Sequence, residues 1–396
     1  MMFDTKNILL YFCNYKAGRI WSNMKYYKGM DISTLLEVER CGGKFYDKGE
    51  ERELLSILKD YDVNALRVRL WNHPYSEEGK PYGAGTNDFE AAKKLLRRGK
   101  DLGFDILLDY HYSDFWADPG KQFVPKAWRG YSVEQLEQAV YDYTRITLNE
   151  LMENDLLPEM IQVGNELSNG LLWPTGRVPE YDNIARYVKS GIRAVRDVSR
   201  ISGKDIKVMV HLDNGGNNAL YREWFDNFIG RGGEFDIIGL SYYPFWHGTM
   251  DMLIDNMKDI ALRYEKDLII AEVSMGFTME DYASYEKLSK EERKGMATRQ
   301  GLVDKIEFPM TVEGQKDFMK KLLERLEEIP KGRGKGFFYW EPAWIPVPGS
   351  GWATESALKY IEDKGPCGNE WANQALFDYQ GNALPALEVV KDYKHD

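Results

Sequence analysis

The chain has 396 residues, 43% hydrophobic and 29% charged, which excludes a disulfide-stapled mini-domain and wholesale disorder. Its 52 basic and 63 acidic side chains leave a net charge of −11, a poor match for a nucleic-acid backbone or an anionic membrane. Aromatic residues reach 13%, with 11 Trp and 25 Tyr. Many fall in Gly- and Pro-containing loops, where a core does not require them, and this favours a flat, weakly polar ligand such as a sugar.

The N-terminal apolar stretch 8–13 spans about six residues, shorter than the roughly 7–15 of a signal-peptide core, and Asp4 stands where a basic flank belongs. No run approaches the roughly 20 apolar residues of a membrane span. The expected location is the cytoplasm, or secretion if the true N terminus is missing. Residues 1–22 read as a loosely attached segment. Cys13, Cys41 and Cys367 are odd in number and widely spaced, unlike a disulfide framework or a zinc site.

From there a strand-then-helix alternation recurs. Short β-branched or aromatic runs predict strands over 26–32, 65–71, 105–112, 160–166, 206–213, 235–243, 267–274 and 336–341. Amphipathic helical spacing covers 50–59, 89–102, 133–153, 181–199 and 315–329, and 384–393 reads as a closing helix. Eight strands with intervening helices predict one (β/α)₈ TIM barrel over 23–396, with long loops after the third, seventh and eighth strands. A doubly wound sheet is disfavoured, because no Gly-rich phosphate turn follows the first strand.

In such a barrel the chemistry gathers at the C-terminal ends of the strands. Those ends carry Asp31; Arg67 and Arg69; Asp109-Tyr110-His111 with Asp114; Asn165-Glu166; His211 and Asp213; Ser241-Tyr242-Tyr243; Glu272; and Trp340-Glu341. Glycoside cleavage needs two carboxyl groups, one to protonate the leaving oxygen and one to attack or to activate water. Glu166 and Glu272 lie on the fourth and seventh strands, across the mouth from each other, and are the expected pair. Asn165 is placed to bond a sugar hydroxyl. Arg69, nearer the mouth than Arg67, is expected to hold the nucleophile ionised. Glu341, followed by Pro342, is read as structural.

His73, His111, His211 and Asp213 lack compact metal-ligand spacing, so no metal or cofactor is expected. Among the loop aromatics, Trp116, Trp128, Trp173, Trp246, Trp344 and Trp352 follow strand ends. An indole can stack on the apolar face of a pyranose while excluding water.

At these residues the chain resembles glycoside hydrolase family 53, the endo-β-1,4-galactanases of the large retaining clan of (β/α)₈ enzymes. The motifs carrying the resemblance are Gly29-Met30-Asp31-Ile32-Ser33, Arg67-Val68-Arg69-Leu70-Trp71, and His111-Tyr112-Ser113-Asp114-Phe115-Trp116-Ala117-Asp118-Pro119. They continue with Gln162-Val163-Gly164-Asn165-Glu166, His211-Leu212-Asp213-Asn214-Gly215 and Ser241-Tyr242-Tyr243-Pro244. They end with Ala271-Glu272-Val273-Ser274 and with Tyr339-Trp340-Glu341-Pro342-Ala343-Trp344-Ile345-Pro346. The resemblance covers about residues 25–395.

It implies double displacement with retention, Glu166 as acid/base and Glu272 as nucleophile. Asn165 would meet the 2-hydroxyl, and Arg69 and Tyr243 would orient the nucleophile, Tyr243 being preferred to Tyr242 by strand parity. Trp340 would form the floor of the reacting subsite, with Trp116, Trp173, Trp344 and Trp352 as cleft walls. Asp31, His111, Asp114, His211 and Asp213 would contact substrate or support the site. The implied partner is β-1,4-galactan or its oligosaccharides, acted on by a monomer.

Some bacterial members carry calcium in the loop after the seventh strand. Residues 279–286 here lack the closely spaced Asp and Asn, so the ion is not carried over. The rival readings are a β-mannanase or β-galactosidase of the same clan, and a non-catalytic sugar-binding barrel.

Overall fold

The computed structural model describes residues 24–280 and 297–395. Among the described residues ten strands and eleven α-helices follow in chain order. They are β1 (Tyr27–Asp31), α1 (Leu35–Arg40), β2 (Phe45–Asp47), β3 (Glu50–Arg52), α2 (Leu54–Asp60), β4 (Ala65–Leu70), α3 (Phe89–Asp101) and β5 (Asp105–Tyr110). Then come α4 (Val133–Glu153), β6 (Met160–Val163), α5 (Tyr181–Ser202), β7 (Lys207–Leu212), α6 (Asn218–Gly230), β8 (Ile237–Tyr242), α7 (Met250–Tyr264) and β9 (Asp267–Val273). The last are α8 (Gln300–Val303), α9 (Val312–Leu326), β10 (Gly334–Tyr339), α10 (Glu355–Tyr360) and α11 (Ala386–Asp392).

Eight parallel strands close a barrel in the order β1-β10-β9-β8-β7-β6-β5-β4, which is the (β/α)₈ architecture expected. β2 and β3 form a separate antiparallel hairpin where sequence spacing favoured a helix from residue 50. There the helix begins only at Leu54, because Glu53 caps it by accepting from Ser56 N–H. α4 occupies its expected span, and its start is fixed by a capping box between Ser132 and Gln135. The connections 71–88 and 164–180 are long, as are those after β5, β9 and β10. The expected N-terminal segment 1–22 and most of the loop considered for calcium lie outside the described residues. Among the described residues no helix is long and apolar enough to cross a membrane.

The barrel interior changes character along its axis. At the base Tyr27, Ala65, Leu107, Met160, Met209, Ile237, Ile269 and Phe338 form a buried apolar plug. One or two inward positions further along the same strands stand Asp31, Arg67, Asp109, Gln162, His211 and Ser241, all buried. A sheath of apolar side chains between strands and helices forms the larger core. The ionic layer is therefore desolvated from below and from the sides, and open only toward the strand C-termini.

β9 departs from simple alternation. Its register against β8 shifts between Leu240 paired with Ile270 and Ser241 paired with Glu272. Ala271 belongs to the interior plug, yet Glu272 also turns inward. The irregularity re-aims one side chain into the mouth.

Candidate active site

Glu166 follows β6 in left-handed backbone conformation, with φ of 48° and ψ of 59°. A non-glycine residue there stores backbone strain of about 1–3 kcal/mol, tolerated because the surroundings over-determine it. The conformation swings its side chain into the barrel mouth, where Ser241 Oγ donates to Oε1 at 2.6 Å. Across the mouth, Glu272 Oε1 lies 2.9 Å from Arg67 Nη2, and Glu272 Oε2 accepts from the Tyr243 hydroxyl at 2.7 Å. A carboxyl oxygen of Glu166 and one of Glu272 lie within 4.8 Å of each other, with a His211 nitrogen inside the same limit.

The two carboxyls sit in different fields. Burial pushes Glu166 well above the usual carboxyl range, and the charges of Glu272 and Asp213 add to this. Burial also raises Glu272, but Arg67 and Tyr243 oppose it. Both are raised, but the fields that favour the proton act on Glu166 while those that favour the charge act on Glu272.

Arg67 is the hub beneath them. Its Nη1 donates to Asp31 at 2.7 Å, and its Nη2 reaches Asp109 at 2.8 Å and Asn165 Oδ1 at 2.9 Å as well as Glu272. Burying this arginine requires such carboxylate partners. The expectation that Arg69 holds the nucleophile is thus corrected. Arg69 is inward-facing but pairs with Glu341 at 2.7 Å and with the Ala84 carbonyl at 2.7 Å, one inward position too far along β4 to reach Glu272. Its guanidinium lies 4.1 Å from the ring centre of Trp116, so it supports the cleft wall from behind. Glu341, read as structural or supporting, is held by Thr34 and Arg69, and burial pushes it up to about 7.

A cavity of about 410 Å³ opens above the pair. Of the expected residues, Trp116, Asn165, Asp213, Tyr243, Trp340 and Trp352 line it with Glu166 and Glu272. Asn165 Nδ2 spends one hydrogen on the Ala117 carbonyl at 2.9 Å, and a primary amide has a second. Trp340 packs edge-on against Tyr243, Trp344 and Trp371.

Other expectations change place. Trp344 is fully buried behind the cleft, stacked on Trp371 with centroids 5.9 Å apart, so Trp371 supplies the wall instead. Trp173 lines a separate groove with Phe123, Arg129 and Tyr360. Asp114 is buried as a loop staple, accepting from His73 and Lys126 backbone N–H groups. His111 Nδ1 accepts from Trp71 Nε1 and from Ala117 N–H, which leaves Nε2 to donate to Asp109 at 3.0 Å. Asp31 and His211 lie under the mouth and act through Arg67 and Ser241.

Sequence reasoning quoted Gln162 and Ser241 without giving either a role, and missed Trp371 and the charged lining. Gln162, a lone amide within an otherwise apolar strand, was a signal available to it. Among the described residues, the charged side chains lining the cavity are Glu166, Glu272, Asp118, Asp213, Asp363 and Glu370 against Lys121, itself paired with Asp118.

The family model for glycosyl hydrolase family 53 matches residues 27–390. The chain belongs to that family. Similar proteins match nearly its whole length. An endo-β-1,4-galactanase of Bacillus subtilis is 35% identical over 388 residues, covering 93% of this chain and 86% of the relative. An uncharacterized protein of Niallia circulans is 40% identical over 372 residues, covering 92% and 93%. Among solved structures, the family 53 catalytic domain of Ignisphaera aggregans superposes with a TM-score of 0.83 at 38% identity, covering 92% of this chain and 95% of that one.

Proposed function

We propose that this family 53 chain hydrolyses β-1,4-galactosidic bonds of galactan, arabinogalactan or derived oligosaccharides by double displacement with retention. The observation that carries the mechanism is the carboxyl pair: Glu166 and Glu272 approach within 4.8 Å in one desolvated mouth, with unlike partners. Retaining enzymes hold their carboxyls about 5–5.5 Å apart, leaving no room for an intervening water. The galactan substrate is supported by the endo-β-1,4-galactanase activity of the Bacillus subtilis relative.

In the first step Glu166 protonates the glycosidic oxygen while Glu272 attacks the anomeric carbon. Arg67 and Tyr243 hold the Glu272 carboxylate in line until its charge passes into the ester. Loss of that charge lowers the Glu166 pKa, so Glu166 can take a proton from water in the second step. Trp340 lies beneath the reacting sugar, and the free N–H of Asn165 meets its 2-hydroxyl.

Reducing-end release from linear β-1,4-galactan, mannan and cellulose tests the substrate. Release from mannan or cellulose with none from galactan overturns it. Glu272→Ala should abolish turnover while sugar binding stays measurable; retained turnover would dismiss Glu272 as nucleophile.

A further inference from the structure

Ser241 links Glu166 to the barrel axis. Its Oγ lies 2.6 Å from Glu166 Oε1 and 2.9 Å from His211 Nε2. A hydroxyl has one hydrogen, so it donates to the carboxyl or to the imidazole, never to both. The state of His211 decides which. Burial and the charge of Arg67 hold His211 neutral, so one ring nitrogen is always bare.

His211 Nδ1 faces two groups of opposite kind, the donor Gln162 Nε2 at 3.0 Å and the acceptor Asn165 Oδ1 at 2.9 Å. The Gln162 amide cannot turn over. Its Oε1 accepts from Arg67 Nε and Nη2, both at 3.2 Å, and a guanidinium has donors only. Two self-consistent registers follow. In one, Gln162 gives one hydrogen to Asp109 Oδ1 at 2.6 Å and the other to Nδ1, Nε2–H donates to Ser241, and Ser241 donates to Glu166 Oε1. In the other, Nδ1–H donates to Asn165, bare Nε2 accepts from Ser241, and Glu166 must carry its proton on Oε1 to bond the hydroxyl.

Only the first register is productive. Oε1 is turned to Ser241. Oε2 takes no hydrogen bond among the described residues and is not sealed from solvent, in a side chain that lines the cavity. General-acid catalysis needs the proton on the oxygen that meets the glycosidic oxygen. We infer that Ser241 and His211 are positioning residues: a hydrogen donated to Oε1 reserves that oxygen and confines the acid proton to Oε2.

On cleavage the proton passes from Oε2 to the leaving oxygen as its bond to the anomeric carbon breaks. Ser241 then donates to the resulting carboxylate without turning. The charges that face Glu166 are those of Glu272, Asp213 and Asp118, all of which favour its protonated form, while Ser241 opposes them.

The inference rests on Glu166 being the acid, and the test separates the two. Ser241→Ala should lower kcat/KM on galactan about 100-fold, the low end of a general-acid contribution. A 2,4-dinitrophenyl β-galactobioside, whose leaving group departs unprotonated, should change less than about threefold on the same reasoning. The basic limb of the galactan profile should move to higher pH, because a carboxyl that loses a donor keeps its proton longer. Equal loss on the two substrates would overturn the inference. In the wild-type enzyme, ¹⁵N shifts of the His211 ring should report the Nε2–H tautomer; the Nδ1–H tautomer would overturn it without any variant. Glu166→Ala is the control. It should lose galactan while keeping kcat/KM on the activated substrate, and equal loss there would remove the acid assignment and this inference with it.

Discussion

Exchanging Arg67 for Lys keeps one positive charge beneath the site but removes the fork. Arg67 spans Asp31, Asp109 and Glu272 at 2.7, 2.8 and 2.9 Å. A single ammonium on a shorter reach settles between the two aspartates and leaves Glu272 behind. At an effective dielectric of about 20, unit charges 2.9 Å apart attract by about 6 kcal/mol, and at about 6 Å by about 3 kcal/mol. The lost ~3 kcal/mol corresponds to about two pKa units at 1.36 kcal/mol each, and partial compensation by Tyr243 brings the expectation to about one to two.

The sign follows from which form the arginine favours. Arg67 stabilises the carboxylate, so Arg67→Lys raises the pKa of Glu272, and the acid limb of kcat/KM on galactan moves to higher pH by that amount. Reducing-sugar release measured from pH 3 to 9 reads the limb directly. Arg69→Lys is the control, expected to lower the thermal midpoint through its pair with Glu341 while leaving the acid limb in place. An unmoved limb in Arg67→Lys, or a shift of equal size in Arg69→Lys, would refute the assignment of the counter-charge.

Further outcomes follow from other contacts. Tyr243→Phe removes a hydrogen bond to a charged oxygen, worth about 1.5–3 kcal/mol, and should raise the acid limb by at least about one pH unit in the same assay. Trp340→Ala should lower kcat/KM on galactotetraose at least about 30-fold, equivalent to the ~2 kcal/mol of a central aromatic anchor. Trp173→Ala, which alters a groove outside the cleft, should stay within about threefold on this short substrate. Gly336→Ala would place Cβ 1.9 Å from the Tyr27 carbonyl oxygen at a φ of 112°. Calorimetry should show a thermal midpoint lower by roughly 2–3 °C, from about 2 kcal/mol of strain spread over the unfolding entropy of a barrel this long.

Much of this molecule was readable from its residues because the barrel repeats one pattern. Strand spacing, the parity of Arg67 and Arg69, and the choice of Tyr243 over Tyr242 all follow from a period of two. What failed were distances along the axis. Parity says that Arg67 and Arg69 both face inward, but not that Glu272 sits level with the lower one. That level is set by the irregularity in β9, which no periodic reading contains. The loop tryptophans failed for a related reason. Trp344 and Trp371 lie 27 positions apart yet stack on each other, so which of them faces the cleft depends on how the loop after β10 folds back. Glu53 shows a third limit: its capping bond starts α2 four residues later than hydrophobic spacing suggested.

Around the catalytic pair the described lining of the cavity carries Asp118, Asp213, Asp363 and Glu370 and one lysine, itself paired with Asp118. A uronic acid brings a fixed negative charge that finds no free cation among the described residues of that lining, so it meets a net unfavourable field there. The enzyme should therefore run along neutral galactose units and stall where a chain joins an acidic backbone. Limit-digest fragments would then end in galactose stubs on each uronate-bearing branch point. Selectivity of this kind comes from the walls of the channel rather than from any contact that recognises galactose.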